Sequence, residues 1–252
     1  MLDHFASSRL RISGAEDDLS DMERIMRGFP ESQPPPYSVV SDKDAQTGEH
    51  RHKLIFSGKL PNSITTKSVS AVEHLRSALD QCGRSCARAI GNNKRRTSKF
   101  PFGDTASEAD NNALTGGGDL PEQIRSLFCS FKPYKGGDDL LWALNKLANT
   151  QKHDLIAPVK IVLVGGTLDR TLKGAGELLP AEWNCVKNEI VFAITGPDGE
   201  IQYDFDLTFT VVFGDVDFVG GQPVFPIIRA LIDKVRHIVI KTEDECQRIG
   251  II

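Results

Sequence analysis

Three stretches of the chain repeat apolar residues at steps of three and four, the spacing that gathers side chains on one face of an α-helix. Ile12, Ala15, Leu19, Met22, Met26 and Phe29 form the first stripe. They lie in a helical segment from Arg9 to Phe29, whose early part Gly14 weakens, so the pattern holds best from Glu16 to Arg27, and Gly28 and Pro30 stop it. Ser68, Ala71, Val72, Leu75, Ala78, Leu79, Cys82, Cys86, Ala89 and Ile90 form the longest stripe, roughly 120° wide, with a stop at Gly91-Asn92-Asn93. This stretch, from near Ser63 to Gly91, predicts the spine of the fold. Ile227, Ile228, Leu231, Ile232, Val235, Ile238 and Val239 place a third amphipathic helix over Pro226 to Glu243.

Between these stripes the pattern is shorter. Tyr37 to Val40 and His52 to Phe56 predict a hairpin around the Asp44–Gly48 turn. Lys94 to Gly118 is poor in apolar residues and predicts a mobile loop. Asp119 has the position of an N-cap, with Pro121 in the first turn and Glu122 at capping-box spacing, for a short helix ending near Ser130. Asp138 caps the next helix, which buries Leu140, Leu141, Leu144, Leu147 and Ala148. After His153 the period changes to two. Val159 to Val164 predicts a strand ending at Gly165-Gly166. Glu189 to Thr195 and Ile201 to Phe213 predict a hairpin across Gly196-Pro197-Asp198-Gly199. Tyr203, Phe205, Leu207, Phe209, Val211 and Phe213 alternate with polar neighbours, so one face packs and the other is wet. The expected fold is α+β in a single domain over 1–252. It has an N-terminal helix and hairpin (1–60), a helical core (61–153), and an antiparallel sheet covered by the C-terminal helix (154–252).

Composition narrows the classes. The 252 residues carry 30 Lys and Arg against 34 Asp and Glu, a net charge of -4 that is too mild to imply a polyanion partner by itself. No apolar run approaches the ~18 residues of a membrane span, and Met1 to Phe5 lacks the basic and apolar regions of a signal peptide. Five cysteines, an odd number, fit reduced thiols in a cytoplasm. Cys82 and Cys86 have helical core spacing, and Cys129, Cys185 and Cys246 lack partnering histidines, so neither a metal nor a cofactor is expected. Val162 to Thr167 imitates the start of a nucleotide-binding turn without the Gly-x-Gly-x-x-Gly or P-loop that would complete it. Asp198, Glu200, Asp204, Asp206, Asp215 and Asp217 suit a hard-cation site or the wet face of a sheet, and the absence of an Asp-x-Asp-x-Asp-Gly loop favours the wet face, whose charge could also pair with another copy's basic loop.

The order Leu75-Arg76-Ser77-Ala78-Leu79-Asp80, Phe100-Pro101-Phe102, Lys132-Pro133-Tyr134, Leu141-Trp142-Ala143-Leu144 and Lys152-His153 resembles a family of bacterial proteins with this motif succession. Phe29, Pro36-Tyr37 and the closing amphipathic helix match in order. Gln81 stands where relatives have His, and Gln151 where they have a carboxylate. The resemblance bears on fold more than on activity.

Chemistry is concentrated in two constellations. Arg76 and Asp80 are four apart beside the spine's apolar stripe, and Asn149, Lys152 and His153 share the last turns of the Leu140 helix. If the two helices pack, these residues line one face. That set suits metal-independent RNA cleavage, with His153 moving the proton, Arg76 and Lys152 facing phosphate, and Asp80 and Asn149 orienting. It distantly resembles the HEPN class of helical ribonucleases, with Asn149 in place of the usual Arg. The competing structural reading is an Arg76–Asp80 intrahelical pair and a His153 that caps a helix end. The second constellation is Arg84, Arg88, Lys94, Arg95, Arg96 and Lys99, uninterrupted by acid and followed by Phe100 and Phe102, which suits phosphate contacts and base stacking or a solvated loop. RNA and a second copy of the chain are the partners these patterns suggest. A non-enzymatic interaction protein and a small-molecule sensor are the alternatives.

Overall fold

In a computed structural model of the chain, the described residues are 3–56, 59–92, 98–153, 159–184, 187–214 and 217–252, apart from the side chains of 150–153 and 183. In order the elements are α1 (Ala6–Arg27), β1 (Tyr37–Lys43), β2 (His50–Phe56), α2 (Asn62–Ala89), α3 (Ala106–Thr115), α4 (Glu122–Ser130) and α5 (Asp139–His153). There follow β3 (Val159–Lys173), β4 (Gly176–Leu178), β5 (Trp183–Asn184), β6 (Glu189–Thr195), β7 (Glu200–Phe213) and α6 (Val224–Arg248). The class is α+β, with two antiparallel sheets and a C-terminal helix. Among the described residues no helix is long and apolar enough to cross a membrane.

The elements form two compact units that interleave along the chain. One comprises Met1–Glu23, Asn62–Lys160 and Val211–Ile252; the other comprises Arg24–Pro61 and Ile161–Thr210. The early hairpin thus joins the later strands, and both terminal helices join the helical core.

In the helical unit α2 packs against α5 and α6, and α6 also meets α4 and α5. Its apolar stripe is buried as its spacing predicts: Leu75, Ala78, Leu79, Cys82 and Cys86 are fully buried. The expectation that α6 covers a sheet gives way to helix-on-helix packing, in which Ile228, Leu231, Val235 and Ile238 are fully buried. Where α2 meets α6, Cys86 Sγ lies 3.4 Å from Cys246 Sγ. Burial pushes the Cys82 thiol up to about 12, and its bond with Cys246 and burial also push Cys86 upward. These thiols remain protonated and fill space as small apolar groups.

Three local expectations are corrected here. Helix α1 begins at Ala6, three residues ahead of Arg9, and runs unweakened through Gly14, which is a contact point: a Cβ there would come 2.9 Å from His74 Nε2 on α2. Tertiary packing offsets the glycine's poor helix propensity. The stretch expected as a loop contains α3, whose N-cap Thr105 accepts a hydrogen bond from the Glu108 amide at 3.2 Å. Asp119 caps nothing, since α4 starts after Pro121 without a side-chain cap bond. Asp138 does cap α5, accepting from the Leu141 amide at 3.0 Å, and its other oxygen takes Lys234 Nζ of α6 at 2.7 Å.

The second unit holds two sheets. One has the order β1-β2-β6-β4 with β5 also on β6; the other is β3 with β7. Consecutive strands β6 and β7 therefore do not pair across Gly196–Gly199. Both edges of β6 are occupied, by β2 on one side and by β4 and β5 on the other. Strand β7 crosses instead to β3 and lays Tyr203 and Phe205 against Phe192, each ring 5.4 Å away. Phe192 is thereby fully buried in a cluster with Leu54, Ile190, Ala193 and Leu207, onto which Tyr37, Val39, Leu163 and Phe209 pack. Strand β3 also continues past Gly165-Gly166 to Lys173. A Cβ at Gly166 would collide with the Asp206 carbonyl oxygen, so the glycine permits close backbone approach within the ladder.

In the middle of α2, Gly83 is buried against the Ser98 carbonyl oxygen, and a Cβ there would lie far inside contact distance of that backbone atom. Gly83→Ala is expected to lower the unfolding free energy by about 1–3 kcal/mol, read from the urea midpoint. Gly165→Ala, where a Cβ meets nothing within 4 Å, is expected to leave that midpoint unchanged or slightly raised.

Candidate functional site

Helices α2 and α5 pack, and Arg76 and Asp80 of the first constellation meet Asn149. Arg76 Nη1 lies 2.7 Å from Asp80 Oδ2, one helical turn on. Arg76 Nε donates to Asn145 Oδ1 of α5 at 3.2 Å, and Asn149 Nδ2 reaches the same oxygen at 3.4 Å. The structure thus brings together Arg76, Asp80 and Asn149, through a residue that sequence reasoning missed. Asn145 stands at a polar position in a Leu-rich helix, and only knowledge of which α5 face meets α2 singles it out. Lys152 and His153 follow on the last turn of α5, and their side chains lie outside the described residues.

The guanidinium is also the roof of an aromatic contact. Arg76 Cζ stands 4.3 Å from the centroid of the Phe102 ring. Asp80 accepts the Phe100 amide at 3.2 Å, so this ion pair holds the Phe100-Pro101-Phe102 segment from above and from the side. Phe100 and Phe102 are buried at 2% and 6% exposure. That corrects their expected role beside the basic run: these rings pack on each other and on Phe128, and are not presented for base stacking.

The same segment continues into a second set of contacts. Gly103 donates its amide to the Pro133 carbonyl at 3.2 Å, which ties in the Lys132-Pro133-Tyr134 motif. Trp142 Nε1 donates to Asp104 Oδ1 at 2.9 Å, and Lys146 Nζ lies 2.7 Å from that oxygen. Lys135 and Lys146 each sit over the Trp142 ring, 5.0 and 5.3 Å from its centroid. The bond with Lys146, and then that from Trp142, hold the Asp104 carboxyl below its ordinary range. Four of the sequence motifs therefore meet at one junction of α2, α5 and the chain leading into α3.

Of the second constellation, Arg84 is half-buried on α2, while Arg88 and Lys99 are exposed. Lys94, Arg95 and Arg96 lie outside the described residues. With Arg76 and Asp80, Arg84 and Arg88 fall at successive four-residue steps along α2, hence near one line of the helix surface. Among the described residues, no three His, Cys, Asp or Glu side chains converge to hold a metal ion. The chain matches no protein-family model, no curated protein and no solved structure.

Two outcomes test this junction. Arg76→Lys keeps the charge but loses the planar stack on Phe102 and the fork that reaches Asn145. It is expected to lower the unfolding free energy by about 1–3 kcal/mol and to speed amide exchange at Phe100 in hydrogen-exchange measurements. Asp104→Asn keeps an acceptor for Trp142 and removes the charge. Because the folded carboxyl titrates below its ordinary 3.8, its ionic contribution is present above that pH and is lost as pH falls through the depressed folded value. The stability gap between wild type and Asp104→Asn, under about 1 kcal/mol for so exposed a pair, is expected to close on acidification below 3.8 in urea melts run against pH.

Proposed function

We propose that the protein binds RNA and cleaves it at the α2–α5 face, in the manner of HEPN-like helical ribonucleases. The observation that carries this reading is the meeting of Arg76, Asp80 and Asn149 through Asn145, on the helix whose final turn holds Lys152 and His153. In this reading His153 takes the proton of a ribose 2′-hydroxyl, and solvent water gives one to the leaving 5′-oxygen. The 2′-oxygen attacks the adjacent phosphorus, the P–O5′ bond breaks, and a 2′,3′-cyclic phosphate and a 5′-hydroxyl result. Lys152 and Arg76 offset the charge that builds on the phosphorane oxygens, and Asp80 and Asn149 hold the cation and the RNA in place. Arg84, Arg88 and Lys99 with Lys94, Arg95 and Arg96 supply the sequence-independent attraction to phosphate.

Four described cysteines are free thiols, which a reducing cytoplasm maintains, and the reading takes the protein to work there. A second reading, a non-enzymatic interaction protein that assembles with RNA, a protein or its own copies, is favoured by one specific observation. Arg76 is already engaged by Asp80, Asn145 and Phe102.

Labelled single-stranded RNA incubated with the purified protein separates the two. Cleavage to 2′,3′-cyclic ends is expected, reduced about 10²–10⁴-fold in His153→Ala with binding retained, and binding is expected to weaken in Arg84→Ala/Arg88→Ala. Absence of cleavage, or equal cleavage by wild type and His153→Ala, removes the enzymatic claim.

A further inference from the structure

The sheet of β1, β2 and β6 changes character along one of its faces. At one end Tyr37, Val39 and Leu54 belong to the apolar cluster around Phe192. At the other end the register sets His52 opposite Ser41 and Ala193, and His50 opposite Lys43 and Thr195. The two histidines are alternate residues of one strand, so their rings leave the sheet on the same side. The rings are nearly parallel, 27° apart, with centroids separated by 6.5 Å. Both are half-buried.

Each imidazole is held at one nitrogen by a hydroxyl. His52 Nε2 lies 3.0 Å from Thr195 Oγ1, and Thr195 is 1% exposed, so this hydroxyl is a fixed part of the sheet. His50 Nδ1 lies 3.4 Å from Ser41 Oγ. The other nitrogens, His50 Nε2 and His52 Nδ1, have no hydrogen-bond partner among the described residues. An imidazole oriented at one nitrogen and open at the other is the ordinary state of a metal-ligating histidine.

We propose that His50 and His52 chelate a divalent transition-metal ion of the zinc, nickel or copper class at this end of the β1–β2–β6 sheet. Metal–nitrogen bonds are about 2.0–2.1 Å long, shorter than near-parallel rings 6.5 Å apart allow, so one ring must turn to share the ion: His50, on the longer contact to the exposed Ser41 hydroxyl, turns, and His52 stays on Thr195. The donor set selects the ion. The strand positions sharing this face carry no carboxylate, which disfavours calcium and magnesium, whereas imidazole suits zinc, nickel and copper. Lys43 shares this face by register and is exposed at the strand end, where it lines a surface hollow with Asp42, Asp44 and Glu49. With two protein ligands the remaining positions of the ion are filled by water, and the site is exchangeable. The inference is independent of the RNA reading, which uses the other unit.

The test is calorimetric titration of the untagged full-length protein with Zn²⁺ alone, and then Ni²⁺ alone, near neutral pH. One binding event is expected in wild type and in His4→Ala, a surface histidine elsewhere, and its loss is expected in His50→Gln and in His52→Gln. Gln preserves side-chain bulk and a hydrogen bond to the neighbouring hydroxyl, and far-UV circular dichroism confirms that each variant is folded. His50→Ala serves in the same role should a Gln variant fail to fold. Absence of binding by wild type, survival of the event in either His50 or His52 variant, or its loss in His4→Ala each overturns the proposal.

Discussion

The joint on which the helical unit turns is one guanidinium. Arg76 leaves α2 beside the apolar stripe and meets three unlike partners at once: a carboxylate one turn away, an amide on α5 and the face of a buried ring. A flexible ammonium cannot serve all three, because only a planar fork stacks on Phe102 while pointing an edge at Asn145. Through Phe102 the joint extends to Phe100, Asp80 and Phe128, and through Asp104 to Trp142 and Lys146. Helix packing alone leaves rotation and sliding soft, since ridges of Leu and Ala fit in several registers. Directional polar contacts around a buried aromatic pair select one register.

The two units meet the demand for buried area by different means. The helical unit fills its interior with Leu, Ile, Ala and protonated thiols, and Gly14 and Gly83 remove side chains where another segment comes close. The β unit divides seven strands' worth of pairing between two sheets and buries aromatic rings where they face each other. Its apolar face is finite, however. The Phe192 cluster ends where β1 and β2 run on toward their turn, and the face is completed by hydroxyls and imidazoles. His52 stands at the border, its ring 6.2 Å from that of Phe192 on one side and its Nε2 on the Thr195 hydroxyl.

Long-range period was the most legible property of the chain. The stripes of α2 and α6 survive into the structure almost residue for residue, and so do the β1–β2 hairpin and the Asp138 cap. Misreadings came where local signals are indifferent to destination. Gly196 to Gly199 makes a turn wherever the following strand goes, and it is the occupancy of both edges of β6 that sends β7 to another sheet. Helix α3 has few apolar residues, so periodicity passes over it. Thr105 and Glu108 at capping-box spacing were its readable sign. Phe100 and Phe102 follow a basic run that points to solvent, and nothing in their neighbours announces Asp80, 20 residues before Phe100, or Arg76 one turn earlier. The packing of α2 on α5 is only a condition in the sequence reading, and neither it nor Asn145, which mediates it, is legible from the residues alone.

An arginine with three protein partners is a poor candidate for capturing a phosphate by itself. Displacing Asp80 leaves a half-buried carboxylate to resolvate, and losing Asn145 or Phe102 loosens the joint that holds the α2–α5 face. Further along α2 stand other cations, the half-buried Arg84 and the exposed Arg88, with the exposed Lys99 beyond the helix. In the proposed reading attraction and positioning are thus divided along one helix: Arg84 and Arg88 would draw a polyanion toward the surface, and Arg76 would keep the geometry and meet the phosphate only together with Lys152. Electrostatic attraction of this kind is long-ranged and salt-sensitive. The Arg76 junction, packed over an aromatic ring, is screened far less. A fold that places both on α2 ties the shape of a candidate binding surface to the same contacts that stabilise its core.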